Sequence, residues 1–511
     1  IVIIWNLNRK KDNMGFLWSR RARMLEIFVL TVITIFGIGS QYFSNLAYSL
    51  NQGILQTSFG TGSQYLIIPS VIANFAFAFG IPLGHVFTHR LGFKKNYLLF
   101  VSFFLIGSII GLISQDLIVL SIAKIIQSVS TGVLFFTLLP QLFRNFPRRF
   151  RNVFLLFVIV GLFGANALGG LSGSVSLELD SWHWVFVLNI VSAIVCLIFG
   201  TVFLNKEEHK HVSPNSIDYV LIILLFLTIL CFVIPMAMLT QKGYSSLWVW
   251  PFLLLAMFFL VNFIYRNMHS SSPLVYFKTL FAKKPSVGAV MAISSHLTLL
   301  TGIAGINVFL TKILKLPFED IARFYVCFFI GVVIAGFIKM FFYSAIGAGI
   351  LGSLGSVALL YVSVHWIAMG NVINLPLLYL QAACLGFGAS MALLSGAMAT
   401  LLDGEIKFAS NRSTTMHSMR NFFAALLVPI IAYTMKDHIQ QGVQLLYGSF
   451  TTHIDNPVQN QLILSKKMQD ITIDADDNVF MMMIVFNIIL LIASIIQMFL
   501  GKGRRIHVKP E

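Results

Sequence analysis

The 511 residues are 57% hydrophobic and 11% charged, against roughly 25% charged in soluble globular proteins, and the mean hydropathy is +0.85. A soluble domain is excluded. Continuous apolar runs of about 20 residues, in place of short alternating segments, exclude a β-barrel and predict an all-α polytopic membrane protein. The formal net charge of +16 sits in the connections between runs, so the lipid bilayer, not nucleic acid, is the expected partner.

Fourteen runs are predicted to cross the bilayer, at residues 25–48, 62–84, 96–114, 117–140, 153–174, 184–204, 217–239, 246–265, 286–310, 319–341, 345–367, 374–400, 411–435 and 478–500. They divide the chain. Residues 1–24 are a polar, basic segment without the apolar stretch of a cleavable signal. Residues 25–204 hold six runs, 205–266 a linker with an extra pair, 267–500 six more, and 501–511 a basic tail. Residues 436–477 read as a polar outward loop between the last two runs, with four acids in Asp470–Asp477 and room for one short amphipathic helix around Val443–Leu446. Cys196, Cys231, Cys327 and Cys384 all lie in apolar runs and read as small core residues, so neither a disulfide nor a metal is expected.

The basic connections orient the chain. With the N-terminus inside, and cations near run ends counted with the nearer side, 27 of the 35 Lys and Arg are assigned to the cytoplasmic side and 7 to the outside, with Lys124 set apart within a run. This bias predicts cytoplasmic termini. The strongest local signal is Ile81–Tyr97, IPLGHVFTHRLGFKKNY, a basic hairpin without an acid.

That hairpin resembles the loop between helices 2 and 3 of the major facilitator superfamily, P-x-x-G-x-L-x-D-R-x-G-R-[RK]. Pro82, Arg90, Gly92 and Lys94 are in register, with His85 at the first Gly, His89 at the Asp and Phe93 at an Arg. Further resemblances follow in order. Ala123–Ser128 is similar to the A-R-x-x-Q-G of helix 4, with Lys124 for the Arg. Gly161–Gly173 is similar to the Gly-rich helix 5 motif, keeping Gly169 and Gly170 but with Ala165-Asn166 for Gly-Pro. Ser181–Asn189, SWHWVFVLN, resembles S-W-R-W-x-F-x-x-N at the start of helix 6. Ile217-Asp218-Tyr219, Pro273-Leu274 and Met419-Arg420-Asn421 resemble the starts of helices 7, 9 and 13. The set as a whole resembles the fourteen-helix drug:proton antiporter subfamily.

The resemblance implies two six-helix bundles with an inserted helix pair, a cavity between the bundles near the midplane, and transport by rocking of one bundle against the other. It makes His89, Arg90, Gly92 and Lys94 a cytoplasmic gate loop, and Gly164, Gly169 and Gly170 a packing stripe. It also implies a carboxylate in helix 1. There the family's L-D-x-x-x-x-N corresponds to Gly39–Asn45, and Ser40 stands at the Asp. Asp218, Glu319, Asp320 and Asp403 all fall near run ends, and Asp218 reads as a helix N-terminal residue.

The remaining candidates come from the residues themselves. An ionisable group inside a run is costly and marks a cavity or a partner. Lys124 is therefore expected to face the cavity, the plainer alternative being that it snorkels to a helix end about two turns away. Gln127, one turn on, shares its face. Gln41, Asn45, Asn166, His296, Asn307 and Gln381 could contact substrate or only join helices. No H-x-x-x-H, nucleophile elbow or G-x-x-x-x-G-K-[ST] falls in a suitable place, so neither an enzyme nor an ATP-driven pump is expected.

The expected function is a secondary transporter exporting a lipophilic or amphiphilic small molecule from a monomer in the plasma (inner) membrane, with protons as candidate coupling partner and no cofactor. A second reading is a carrier of an anionic or lipid-like solute, with Lys124 as its counter-charge.

Overall fold

The computed structural model describes residue 48 and residues 52–62, 65–145, 151–204, 218–369, 373–402, 408–449 and 457–500. The expected first span, 25–48, with Gln41 and Asn45, lies outside the described residues apart from Tyr48. After a short helix α1 (Gln52–Phe59) come α2 (Ile68–Leu91), α3 (Phe93–Leu112), α4 (Leu117–Asn145), α5 (Arg151–Glu178) and α6 (Trp184–Phe203). Then follow α7 (Tyr219–Lys242), α8 (Trp250–His269), α9 (Lys283–Val308, ending in one π turn, Phe309–Ile313) and α10 (Phe318–Ile346). The last four are α11 (Ala348–Ile367), α12 (Leu375–Leu402), α13 (Ala409–Ser449) and α14 (Pro457–Leu500). Among the described residues, 12 of these helices are long and apolar enough to cross a membrane. Their outer faces carry large apolar side chains such as Ile198, Val202, Phe258, Val261, Phe341 and Val485, all exposed. Water would not tolerate such a belt, whereas lipid requires it.

The hairpin turns on Gly92. Its φ of +74° favours glycine, and its N–H reaches Thr88 O at 3.0 Å to close α2. Asn96 then donates to Thr88 Oγ1 across the turn at 3.0 Å. Gly347, at φ +92°, makes the equivalent turn from α10 to α11. Two such hairpins at one end of the molecule give a common reference: helices alternate between a hairpin end and an opposite end.

Helices α2, α3, α4 and α6 pack as one group around Phe77, Tyr97, Phe104 and Phe135. Helices α9 to α14 pack as another around Phe324, Phe328, Leu385 and Met391. Because lipid tails are as apolar as the side chains, close approach, not burial as such, holds these helices together. Gly288 of α9 lies against Gly396 of α12, and Gly355 of α11 against Gly388 of α12, at distances where any Cβ would meet backbone.

Two seams join the groups. At one, α5 packs on α10, and Phe163 and Ala167 of α5 enter the core of the second group. At the other, α2 meets α13. Helices α7 and α8 pair with each other, and α7 covers the second seam. There Phe75, Phe232 and Phe422, from α2, α7 and α13, form a three-ring junction with centroids 5.3–6.3 Å apart.

Three expectations are corrected. First, residues 436–449 and 457–477, read as an outward loop, are helical. The 41 residues of α13 and 44 of α14 extend about 60 Å and 66 Å at 1.5 Å per residue, roughly twice the hydrocarbon thickness. They rise together from the opposite end, with Gly442 against Ile471 and Leu446 and Ala475 buried. The polar composition of the segment hid this because its partner is another stretch of the same segment. Second, Lys339, Arg412 and Arg420 were counted as loop cations but are buried within the second group. Third, Asp476 lies inside the protein, 1% exposed, although its neighbours in sequence are polar.

Candidate functional site

Between the two groups, at the opposite end, lies a cavity of about 990 Å³. Its walls are helix ends: Ile54 and Thr57 of α1, Ser70 of α2, Leu177 and Glu178 of α5, and Thr240 of α7 on one side. Ala304 to Thr311 of α9 and its π turn, Ile321 of α10, and Val428 to Gln440 of α13 form the other. Thirteen of the 24 lining residues are apolar and eleven polar or charged, a mixed lining suited to an amphiphilic molecule. Lys312, Lys315 and Lys436 face Glu178 and Asp180 around the rim, and Lys436 is also held by Thr240 O at 2.5 Å.

The hairpin end is closed. His85 of α2 packs on Tyr276, 6.3 Å between ring centroids, and Phe135 of α4 meets His417 of α13 edge-on at 5.4 Å. The Tyr276 N–H donates to Thr415 Oγ1 of α13 at 2.9 Å. Beside this closure, Lys94 donates to Thr201 O and Leu204 O at 2.9 and 2.6 Å, a cation on the exposed carbonyls of the α6 C-terminus. Arg90 donates to Tyr219 Oη at 2.7 Å and lies over its ring, tying the hairpin to α7. His89 contacts His85 one turn back, Nε2 to Nε2 at 3.2 Å.

Asp218 caps α7, as its position led one to expect. It accepts from Leu221 N–H at 3.4 Å, Ser270 Oγ at 3.1 Å and Arg266 Nε at 3.2 Å, joining the start of α7 to the end of α8. Burial alone would raise its carboxyl, but these hydrogen bonds and the Arg266 charge hold it below the ordinary 3.8.

Of the expected substrate contacts, Asn307 alone among the described residues lines the cavity. Its side-chain oxygen accepts from Tyr325 Oη of α10. Lys124 does not reach it. Its Nζ lies 5.4 Å from the Tyr48 ring and 5.5 Å from that of Phe186, inside the first group, where two aromatic faces take the place of water. Phe186 belongs to the SWHWVFVLN block, so this block and Lys124 form one nest with Trp182. Gln127 donates to Ser108 Oγ at 2.8 Å, joining α4 to α3. Gln381 accepts from Trp366 Nε1 at 2.9 Å, joining α12 to α11. In this conformation both act between helices.

His296 is buried on α9, within electrostatic range of Arg420 and His417 on α13. Asn166 falls within α5. Gly164 and Gly170 are on the α5–α10 seam, Gly164 against Phe329 and Gly170 against the face of Tyr325; Gly169 is buried on the same helix.

Sequence reasoning missed Asp476. It is buried on α14 against Gly305 and Phe480, and neither carboxyl oxygen has a hydrogen-bond partner among the described residues. Gly305 lies between the cavity-lining Ala304 and Asn307, so the acid stands directly behind the cavity wall. Its period along α14 with Phe480 and Met483, both buried, was the available signal.

A multi-helix membrane protein with two helical groups and, between them, a cavity closed at one end has the architecture of a solute carrier. Comparison with known proteins shows what the chain is similar to. No family model matches the chain. An uncharacterised MFS-type transporter of Bacillus subtilis (strain 168), YubD, is 23% identical over 485 residues, 95% of this chain and 91% of that protein. Multidrug resistance protein 3 of the same organism is 29% identical over 205 residues, 39% of this chain and 38% of that protein. The methyl viologen resistance protein SmvA of Salmonella typhimurium (strain LT2) is 24% identical over 242 residues, 47% and 48%. The chain thus matches under half the length of these two resistance proteins but nearly all of YubD. The chain is a multi-pass membrane protein by the 12 apolar helices among its described residues, similar to MFS-type transporters and to multidrug resistance proteins.

Proposed function

We propose that this protein exports a lipophilic or amphiphilic small molecule across a plasma membrane, by alternating the opening of its cavity between the two membrane faces. The cavity carries this reading: about 990 Å³ between the two helical groups, at the end away from the basic hairpin, with the hairpin end shut by His85–Tyr276 and Phe135–His417. With the basic connections cytoplasmic, this conformation is outward-open and both termini are inside.

The architecture is fourteen membrane helices: the run at 25–48, then α2 to α14. Residues 25–204 form one bundle and 267–500 the other. The α7–α8 pair, within 205–266, is an insertion, supported by its position on the outside of the α2–α13 seam.

Protons drive export, and Asp476 carries them. Support comes from a buried carboxyl group without hydrogen-bond partners, one helix behind the substrate wall, which supplies the acid that Ser40 leaves missing from the first run. Ionisable residues so placed are the usual proton relays of membrane carriers. A growth-inhibition panel comparing cells with and without the protein identifies substrate and direction together. Proteoliposomes with an imposed pH gradient then test the drive: substrate flux indifferent to the gradient refutes proton coupling, and equal inhibition of both cell lines by every amphiphile refutes export.

A further inference from the structure

The buried charges of this protein are unequal in sign. Among the described residues, Lys124, Lys339, Arg412 and Arg420 are buried and Asp476 is their only acidic counterpart. Two of the four cations have engagements that are plain from the geometry. Lys124 lies over two aromatic rings, and Arg412 donates to Thr400 O and Leu401 O at 2.8 and 2.7 Å. Arg420 is buried near His296 and His417. Lys339 differs. It is 0% exposed, and its Nζ has no hydrogen-bond partner among the described residues. An ionisable side chain buried in this way is costly in its charged form and marks a candidate functional group.

Its direction is fixed by its neighbours on α10. Tyr325, Phe329 and Gly336 meet α5, at Gly170, Gly164 and Leu156. Phe328 and Gly331 meet α12, at Gly386 and Ala383. At about 100° per residue, Lys339 points between these two sets, towards the line where α5 of one bundle meets α12 of the other. It is also about two turns from Gly347, on the hairpin side. It therefore sits on the closed half of the bundle interface, on the side away from the 990 Å³ cavity.

We propose that Lys339 is the substrate-facing cation of the cavity that forms when the bundles part at the hairpin end, and that the transported class is lipophilic anions. A carboxylate, sulfonate or phosphate on an apolar frame entering there meets Lys339 and leaves the frame against the α5–α10 seam. Arg420, buried on α13, adds a second cation beside the neighbouring α9–α13 wall. The inference rests on the transport reading above but concerns the charge of the cargo.

The test uses the full chain in proteoliposomes with two probes on one xanthene frame, anionic fluorescein and cationic rhodamine 123. Fluorescein is expected to be carried in preference to rhodamine 123. Lys339→Gln is expected to slow fluorescein by about tenfold or more, the scale of one desolvated charge contact, while Lys339→Arg stays within a few-fold of the parent. Fluorescein should also raise the heating midpoint of the detergent-purified parent, read by size exclusion, and leave that of Lys339→Gln unmoved. Preference for rhodamine 123, or a Lys339→Gln variant that carries fluorescein at the parent rate, overturns the assignment. Fluorescein stabilisation that depends on Lys339 without flux of either probe upholds the site and refutes transport instead. Neither stabilisation nor flux overturns both.

Discussion

Glycine-to-alanine changes at two positions in the second bundle should have opposite consequences, and the difference can be worked from the neighbours. A Cβ at Gly288 would lie 2.6 Å from Thr400 N, 2.8 Å from Gly396 O and 2.9 Å from Ala399 Cβ. Ordinary contact begins at 3.4 Å, so α9 and α12 would have to part by about 0.5–0.8 Å, since two of the three obstacles are backbone and cannot rotate away. A radial gap of about 0.5–1 Å forfeits a quarter to a half of each dispersion contact along the seam, and overpacking a closed site typically costs about 1–3 kcal/mol. The intrinsic helix gain of alanine over glycine, about 0.5–1 kcal/mol, offsets only part of this. At Gly336 the Cβ would meet side chains only, with Leu156 Cδ1 at 2.5 Å and Leu156 Cγ and Val160 Cγ2 both at an ordinary 3.9 Å. A rotamer change clears it, and the helix gain then dominates. Gly288→Ala should therefore lower the heating midpoint of the purified protein in detergent, while Gly336→Ala should leave it unchanged or raise it. Equal shifts in the two variants, or the reverse order, would refute the claim that backbone contact, not the mere presence of glycine, limits these seams.

Three further outcomes follow from the site. Gly92→Ala forces a side chain into φ +74°, ψ +160°, at a cost of about 1–3 kcal/mol, and should lower both the heating midpoint and transport. Asp218→Ala removes a helix cap together with the bridge to Arg266 and Ser270, a loss of about 1–2 kcal/mol. Because the folded-state carboxyl is held below 3.8, its charge-dependent contribution is complete at pH 7 and at pH 5 and fades as the pH falls below about 4. The midpoint difference between parent and variant should narrow there, and a difference that widens at low pH would contradict the assignment. Asp476→Asn should abolish flux driven by a pH gradient while leaving substrate counterflow intact; unchanged gradient-driven flux would remove Asp476 as the proton carrier.

The sequence made the helices legible because lipid imposes a local rule: an apolar run of sufficient length spans, and the basic connections set its direction. Gly92 was legible for a similar reason, since its turn needs a residue tolerant of positive φ within a few positions. The cavity was not. Asn307 lines it and Gln381 does not, yet both are amides in apolar runs, and only the packing of α9 against α11 and α12 separates them. Lys124 stood out as a charge in a run, but what engages it is Phe186 of α6 and Tyr48, both far away in sequence.

Lys339 and Asp476 escaped for the converse reason. Each lies near the end of an apolar run, where counting assigns a charge to water; Lys339 is buried two residues inside the expected end of its run, and Asp476 because its helix starts well before the expected boundary. In α14 that continuation starts at Pro457, 21 residues before the expected span at 478, and is paired with the equivalent extension of α13 through Gly442 and Ile471. Two polar-looking segments that bury a face against each other can thus carry an ionisable group into the interior without any apolar run to announce it. A carrier built this way can keep its chemistry where a hydropathy profile shows only a loop, and the absence of an acid from the first run does not mean the absence of an acid from the mechanism.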